Sequence, residues 1–555
     1  MPKVNKLFAT LLGCWFLMNL LQAVFTGIHS DEVYYAIWGR HLAWGYFDHP
    51  PMVAVLTYLS SLLFDGHLGV RFVTVLLQLA TLLLLWNAIR PQYRQTTQSV
   101  WIFFIVAASL VMFSVYGFTT TPDTPFLFFA ALFLYAYRHF LQKNTIQYSL
   151  LLAIAMAGMC YSKYHAVLVI GFTVLSNFKL LKNSKFWLAG IVGLVLLVPH
   201  FWWQYANDFP SFQYHLVSRS KGFEWKYFFE FFPGQLGIFN PFTFGAVVYA
   251  LWKWKPQSDF ERTLYFLILG ILGFFTLSTL RGRAEAHWTV AASLPMLVLL
   301  VERASEHLAL RLYILRYVGF SLVLVVVARG ILVTDFSEKF GYEDHDDYYK
   351  NIEKIAGGRP VLFNGSFQPP SFYQYYTGKP ASVVSAIENR QTQYDIWQFE
   401  QDFIGKEALL VTEKPPYTQV FDVDGQLFNG MITDQWQTSN RLRIRYELDK
   451  QTLKGGTIIE IPIEISNPTA TDVVFDKGIF SLAPKVVFLV HKRHYYIENV
   501  EVIPEITHVE AGAIQHAKLR FEVPAIAPGE YKFSVVINSF FGHTLNSDFV
   551  KISVE

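Results

Sequence analysis

The stretch HSDEVYYAIWGRHLAWGYFDHPP, residues 29–51, follows directly on the first long apolar segment. Asp31 and Glu32 stand where a membrane helix emerges into water, and Asp48-His49-Pro50-Pro51 forms a second polar cluster 17 residues after Asp31. Aromatic and small residues fill the interval. A chain that only crosses a bilayer has no need to gather acids, an imidazole and a double proline at one membrane face. Ionisable groups at such a boundary mark a functional site.

Composition widens this reading. The chain has 555 residues, of which 53% are hydrophobic, 17% aromatic and 16% charged, with mean hydropathy +0.29. That is too apolar for a wholly soluble protein and too charged for a pure membrane bundle, so a membrane part joined to a water-soluble part is expected. A net charge of +2 gives no support to nucleic acid as a partner. The two cysteines, Cys14 and Cys160, both lie in apolar segments and offer no disulfide framework. The apolar run after MPKVNK is about 20 residues long, which suits a retained spanning helix rather than a cleaved leader.

Up to about residue 335 apolar runs alternate with short polar loops. Eleven spans are expected, over 7–27, 68–89, 98–117, 124–141, 146–161, 163–178, 186–204, 236–254, 262–280, 286–302 and 312–333. The segment 51–64 is short for a crossing and reads as a surface or re-entrant helix. With a cytoplasmic N-terminus, every inner loop carries at least two basic residues, including Arg90, Arg94, Arg138, Lys143, Lys253 and Lys255. The same topology puts all the chemically suspect residues on the outer side, together with the chain after residue 335. Residues 336–442 read as mixed α/β, and 443–555 as a β-sandwich of alternating strands such as TIIEIPIEIS and EYKFSVVINS. Three regions are therefore expected: a membrane domain over 1–335, an α/β region over 336–442 and a sandwich over 443–555.

Each polar cluster has two readings. Asp31 and Glu32 either supply a general base or cap the helix that follows them. Asp48 and His49, stiffened by the prolines, either grip a phosphate or a divalent cation or form a solvated turn. Asp123, in Thr121-Pro122-Asp123-Thr124-Pro125, opens the helix 124–141 and is free to face the same pocket as Asp31. Lys163, in Tyr161-Ser162-Lys163-Tyr164-His165, needs an anionic partner or a snorkelling path to the headgroups. Arg281 and Arg283, in Arg281-Gly282-Arg283-Ala284-Glu285-Ala286-His287-Trp288, suit bidentate phosphate contacts or lipid headgroups. The outer loop 205–235 adds His215, Arg219, Lys221 and Glu224 without assignable roles. Glu343-Asp344-His345-Asp346-Asp347 lacks the glycine and spacing of a calcium loop and reads as a helix start.

The order of these motifs resembles the GT-C class of membrane glycosyltransferases. More narrowly it is similar to glycosyltransferase family 39, which includes protein O-mannosyltransferases and lipid A aminoarabinose transferases. The matching elements are Asp31-Glu32, Tyr46-Phe47-Asp48-His49-Pro50-Pro51, Thr121-Pro122-Asp123-Thr124-Pro125 and Ser162-Lys163-Tyr164. Together they cover roughly residues 7–300, and RPVLFNGSFQPPSFYQYYTGKP is similar to the outer region of bacterial members. The resemblance implies a polytopic α-helical GT-C fold in a bacterial inner membrane. It implies sugar transfer from a polyprenyl-phosphate donor to a lipid, protein or polysaccharide acceptor at the outer face.

In that scheme Asp31 is the base, with Glu32 and Asp123 as further catalytic candidates. His49, Lys163, Arg281 and Arg283 are candidates for the donor phosphate, and Asp48, His49 and His287 for a divalent metal ion. No nucleotide cofactor is expected, since no Gly-rich phosphate loop occurs. A single base with in-line displacement inverts the anomeric centre. The alternatives from other classes are a membrane transporter and a noncatalytic assembly subunit for lipid-linked glycans.

Overall fold

In the computed structural model all residues are described except 1, 216–223, 385, 388, 413–418, 435, 449–450 and 492–493. Arg219 and Lys221 fall outside the described residues. The chain divides into two compact units, Met1–Asp344 and His345–Glu555.

The first unit is helical. Among the described residues, seven stretches are long and apolar enough to cross a membrane: Lys3–Phe25, Gly66–Ala88, Asp123–Lys143, Ser184–Ala206, Asp259–Ser278, Ala286–Glu306 and Leu308–Ile331. These correspond to seven of the eleven expected spans; the other four are shorter or broken. Expected span 98–117 divides at Leu110 into Thr97–Ser109 and Val111–Val115. Expected span 236–254 divides at Asn240, whose φ is 63°, because Pro241 opens the next helix and cannot continue the last. Ile146–Ser162 and Ala166–Ser176 flank an extended Lys163. Met52–Ser61 is the short helix expected in 51–64.

Ala286–Glu306 is the central element. Residues from Leu294 to Val301 are buried on every side, as an all-apolar helix requires. Lipid-facing helices instead leave large apolar side chains such as Leu194, Val195, Phe320 and Val326 uncovered.

The first unit extends past the expected boundary at 335. Tyr342–Glu343 pairs antiparallel with Ile28–His29, and the Tyr342 hydroxyl lies 2.9 Å from Thr119 Oγ1. Residues 336–344 are thus held by backbone pairing to the opening of the Asp31 helix. Hydropathy alone marks only where the last apolar run stops.

The second unit holds two sheet systems. In the first, Ala381–Val384, Val361–Asn364 and Ala408–Val411 run parallel, and the hairpin Gln419–Val423/Gln426–Thr433 continues the sheet antiparallel. The second is a sandwich. One sheet has the order Glu501–Ile503, Ile514–Glu522, Ile458–Ser466, Arg443–Tyr446; the other is built around Ala483–His491 and Gly529–Ser539. Period-two alternation places Ile461, Ile463 and Ile465 in the core beside Leu519, Phe521 and Phe533. Glu460 and Glu464 point outward.

Candidate active site

The helices of the first unit alternate in direction, so Phe25, Gly66, Asp123, Ser162, Ala206, Ser278 and Ala286 all belong to one end. The stretch 29–51 lies there. His29 caps helix Ser30–Arg40: its ring nitrogen accepts from the Asp31 amide at 3.1 Å, and the His29 amide donates to Glu32 Oε2 at 3.2 Å. Capping therefore falls to His29 and Glu32. The Asp31 side chain is 46% exposed, with His29 Nδ1 at 3.9 Å.

Glu32 is fully buried. Arg71 grips it twice, Nε to Oε1 at 2.8 Å and Nη2 to Oε2 at 2.6 Å, and the Thr120 amide adds a bond to Oε1 at 2.8 Å. The remaining Arg71 donors reach the carbonyls of Ala23, Thr26 and Gly27. Arg71 thus closes the C-terminal end of the first helix, where carbonyls lack intrahelical partners. Glu32, expected as a further catalytic candidate, stands here in a buried pair with Arg71. Both its oxygens are committed, and protonation would leave a buried guanidinium uncompensated. Arg71 escaped the sequence reading because it sits inside an apolar run, although an ionisable residue there signals a partner.

The turn 41–51 is built from aromatics. Tyr46 stacks on Trp38 at 4.2 Å, and its hydroxyl contacts the Trp38 and His41 carbonyls. Gly45 packs against the Trp203 indole so closely that a Cβ would displace the ring. Asp48 is buried, and its carbonyl lies 2.8 Å from His215 Nε2. His49 lies 6.1 Å from the His215 ring and 6.2 Å from the Tyr35 ring.

Asp123 and Lys163 form a buried pair, with Nζ 2.7 and 2.8 Å from the two carboxylate oxygens. Two further sets of interactions tie the cluster together. Tyr35 is buried within the field of Asp31, Asp48 and Asp123; burial first, then these carboxylates, push its phenol well above the usual range. His165 lies within the field of Lys163, His215, His287 and His49. Asp31, Asp48, His49, Asp123, Lys163 and His287 are thus brought to one end of one helical unit.

Arg281 and Arg283 stand apart, both exposed; Arg283 is 3.6 Å from Glu285. No bond ties either to the acidic cluster among the described residues. Likewise, among the described residues no three His, Cys, Asp or Glu side chains are disposed to hold a metal ion. Asp48, His49 and His287 are therefore not assembled as a ligand set.

Comparison with known proteins sharpens this. Residues 48–203 match the family model described as dolichyl-phosphate-mannose-protein mannosyltransferase. The chain is 25% identical over 286 residues to lipid A galacturonosyltransferase RgtD of Rhizobium johnstonii, an alignment covering 48% of this chain and 58% of that relative. In fold it is similar to ArnT from Cupriavidus metallidurans, solved in the apo state and bound to undecaprenyl phosphate. The TM-scores are 0.55 and 0.56, at 14% identity over 77% of this chain and 97% of ArnT. The sequence match and the shared fold bear out the resemblance to GT-C membrane glycosyltransferases of the family 39 type, and the chain is a multi-pass membrane protein of that fold.

Proposed function

We propose that the protein transfers a sugar from a polyprenyl-phosphate donor to an acceptor hydroxyl or phosphate at the outer face of a bacterial inner membrane, with inversion. The observation that carries this reading is the buried Asp123–Lys163 pair at the same end of the helical unit as the Asp31 helix and the turn of His49, whose ring lies 6.2 Å from Tyr35. Asp31 is the base. Its side chain is 46% exposed, whereas Glu32 and Asp123 are buried in pairs with Arg71 and Lys163. Such a group takes the acceptor proton as the acceptor oxygen attacks the anomeric carbon, a role worth about 100- to 10,000-fold. The bond from that carbon to the phosphate oxygen breaks, and the electron pair leaves on the polyprenyl phosphate. One displacement inverts the anomeric centre.

Lys163 and His49 face the developing phosphate charge, where preorganised donors act most strongly. Glu32 and Arg71 hold the backbone that carries Asp31. Arg281 and Arg283 lie at the rim, where they meet lipid headgroups. No step is assigned to a metal ion.

The relative's name supports a lipid A-type acceptor and a galacturonosyl donor as the first pair to try. The test uses the full chain in nanodiscs with undecaprenyl-phosphate-linked galacturonate and lipid A. Release of undecaprenyl phosphate that depends on acceptor supports the proposal. No release with any sugar donor or acceptor, and an unchanged glycolipid and glycoprotein profile in a deletion strain, contradicts it.

A further inference from the structure

One buried group at the candidate site has so far had no role, the imidazole of His165. Its ring is wedged between Phe275 at 4.9 Å and Trp288 at 5.4 Å, both edge-on. Its Nδ1 is buried and has no hydrogen-bond partner among the described residues. Lys163, His49, His215 and His287 all act on it electrostatically. The ammonium of Lys163 is already committed to Asp123. A buried ring nitrogen with no partner is costly unless something supplies one. The Lys163 ammonium lies two residues away in the chain, so a partner that suits an imidazole N–H here is an oxygen anion.

We propose that His165 is the floor of an oxyanion-binding subsite, walled by Phe275 and Trp288 and flanked by Lys163 and His287, which binds an anionic oxygen of the sugar donor. The subsite is separate from the exposed arginines at the rim. Two parts of a lipid-linked donor carry this chemistry, the phosphate and the carboxylate of a uronic acid. This inference rests on the transferase reading above.

The test is equilibrium binding to the full chain in nanodiscs, with undecaprenyl phosphate, its galacturonate and its galactose forms as probes. His165→Phe keeps a ring between Phe275 and Trp288 and removes both nitrogens. His165→Asn restores a nitrogen near the Nδ1 position. His165→Phe is expected to weaken binding about 10- to 100-fold, the range of one charge-assisted hydrogen bond, and His165→Asn to recover most of it. Weakening of all three probes assigns the subsite to phosphate; weakening of the galacturonate form alone assigns it to the carboxylate. Unchanged affinity of His165→Phe for every probe overturns the proposal, as does equal loss in both variants. If wild-type protein binds none of the probes, the lipid-donor reading falls first and the subsite with it.

Discussion

The two ends of the helical unit both carry charged side chains and use them differently. At the end away from Asp31, Glu302 accepts from the Arg90 amide at 2.8 Å, Arg90 Nε at 2.9 Å and Arg138 Nη1 at 2.7 Å. Glu306 adds Arg90 and Arg303 at 3.1 Å, and Glu261 meets Arg303 at 2.6 Å. Three acids and three arginines thus cancel in a closed network that joins four helical segments. At the Asp31 end the buried pairs stand separately, Glu32 with Arg71 and Asp123 with Lys163, and the Asp31 side chain there is 46% exposed. A buried ion pair whose role is to fix helices is complete in itself. A site proposed to accept a proton needs at least one carboxylate that solvent and substrate can reach, as Asp31 is.

That contrast can be broken by substitution. The largest effect is expected from Arg71→Ala, which leaves Glu32 buried and opens the carbonyls of Ala23, Thr26 and Gly27. Removing one partner of a buried pair costs roughly 3–5 kcal/mol, so the melting temperature in detergent falls sharply and transfer is lost with it. Glu302→Gln at the opposite end is expected to lower the melting temperature by a comparable mechanism, yet to leave kcat per folded molecule unchanged. A fall in kcat there would erase the distinction between the two ends.

Lys163→Met is expected to lower kcat and, because it removes one partner of a buried pair, the melting temperature as well. Steady-state kinetics with thermal unfolding of the same samples separates the two. Tyr35→Phe is milder. Burial and three carboxylates hold the phenol protonated across the working range, so the pH–rate profile is expected to keep its alkaline limb. Arg283→Ala is the smallest, since an exposed pair with Glu285 contributes about 0–1 kcal/mol; only donor affinity at low salt is expected to shift.

Much of this was legible in the chain itself. Asp31, Asp48, Asp123, Lys163 and His287 declare themselves because charge is conspicuous between apolar runs. The sandwich declares itself through alternation, as in 458–466. What hid was charge inside apolar runs. Arg71 reads as part of a span, and its partnership with Glu32 appears only when the helices Ser30–Arg40 and Gly66–Ala88 are brought together. Arg329, bonded to Asn19 and Ser114 within the helices, hid for the same reason. Glu32 and Asp31 are indistinguishable as neighbours in sequence. Helical geometry separates them, since adjacent residues in a helix point about 100° apart, one inward to Arg71 and one outward. The expected boundary at 335 missed the backbone pairing of Tyr342–Glu343, a contact across more than 300 residues that local patterning does not encode.

The central claim is that Asp31 alone of the Asp31-Glu32 pair does chemistry. The direct measurement is acceptor-dependent release of undecaprenyl phosphate by Asp31→Asn, beside its melting temperature. The account predicts a melting temperature within a few degrees of wild type and a rate at least about 100-fold lower, the lower bound for loss of a positioned general base. Wild-type turnover by folded Asp31→Asn protein would contradict it.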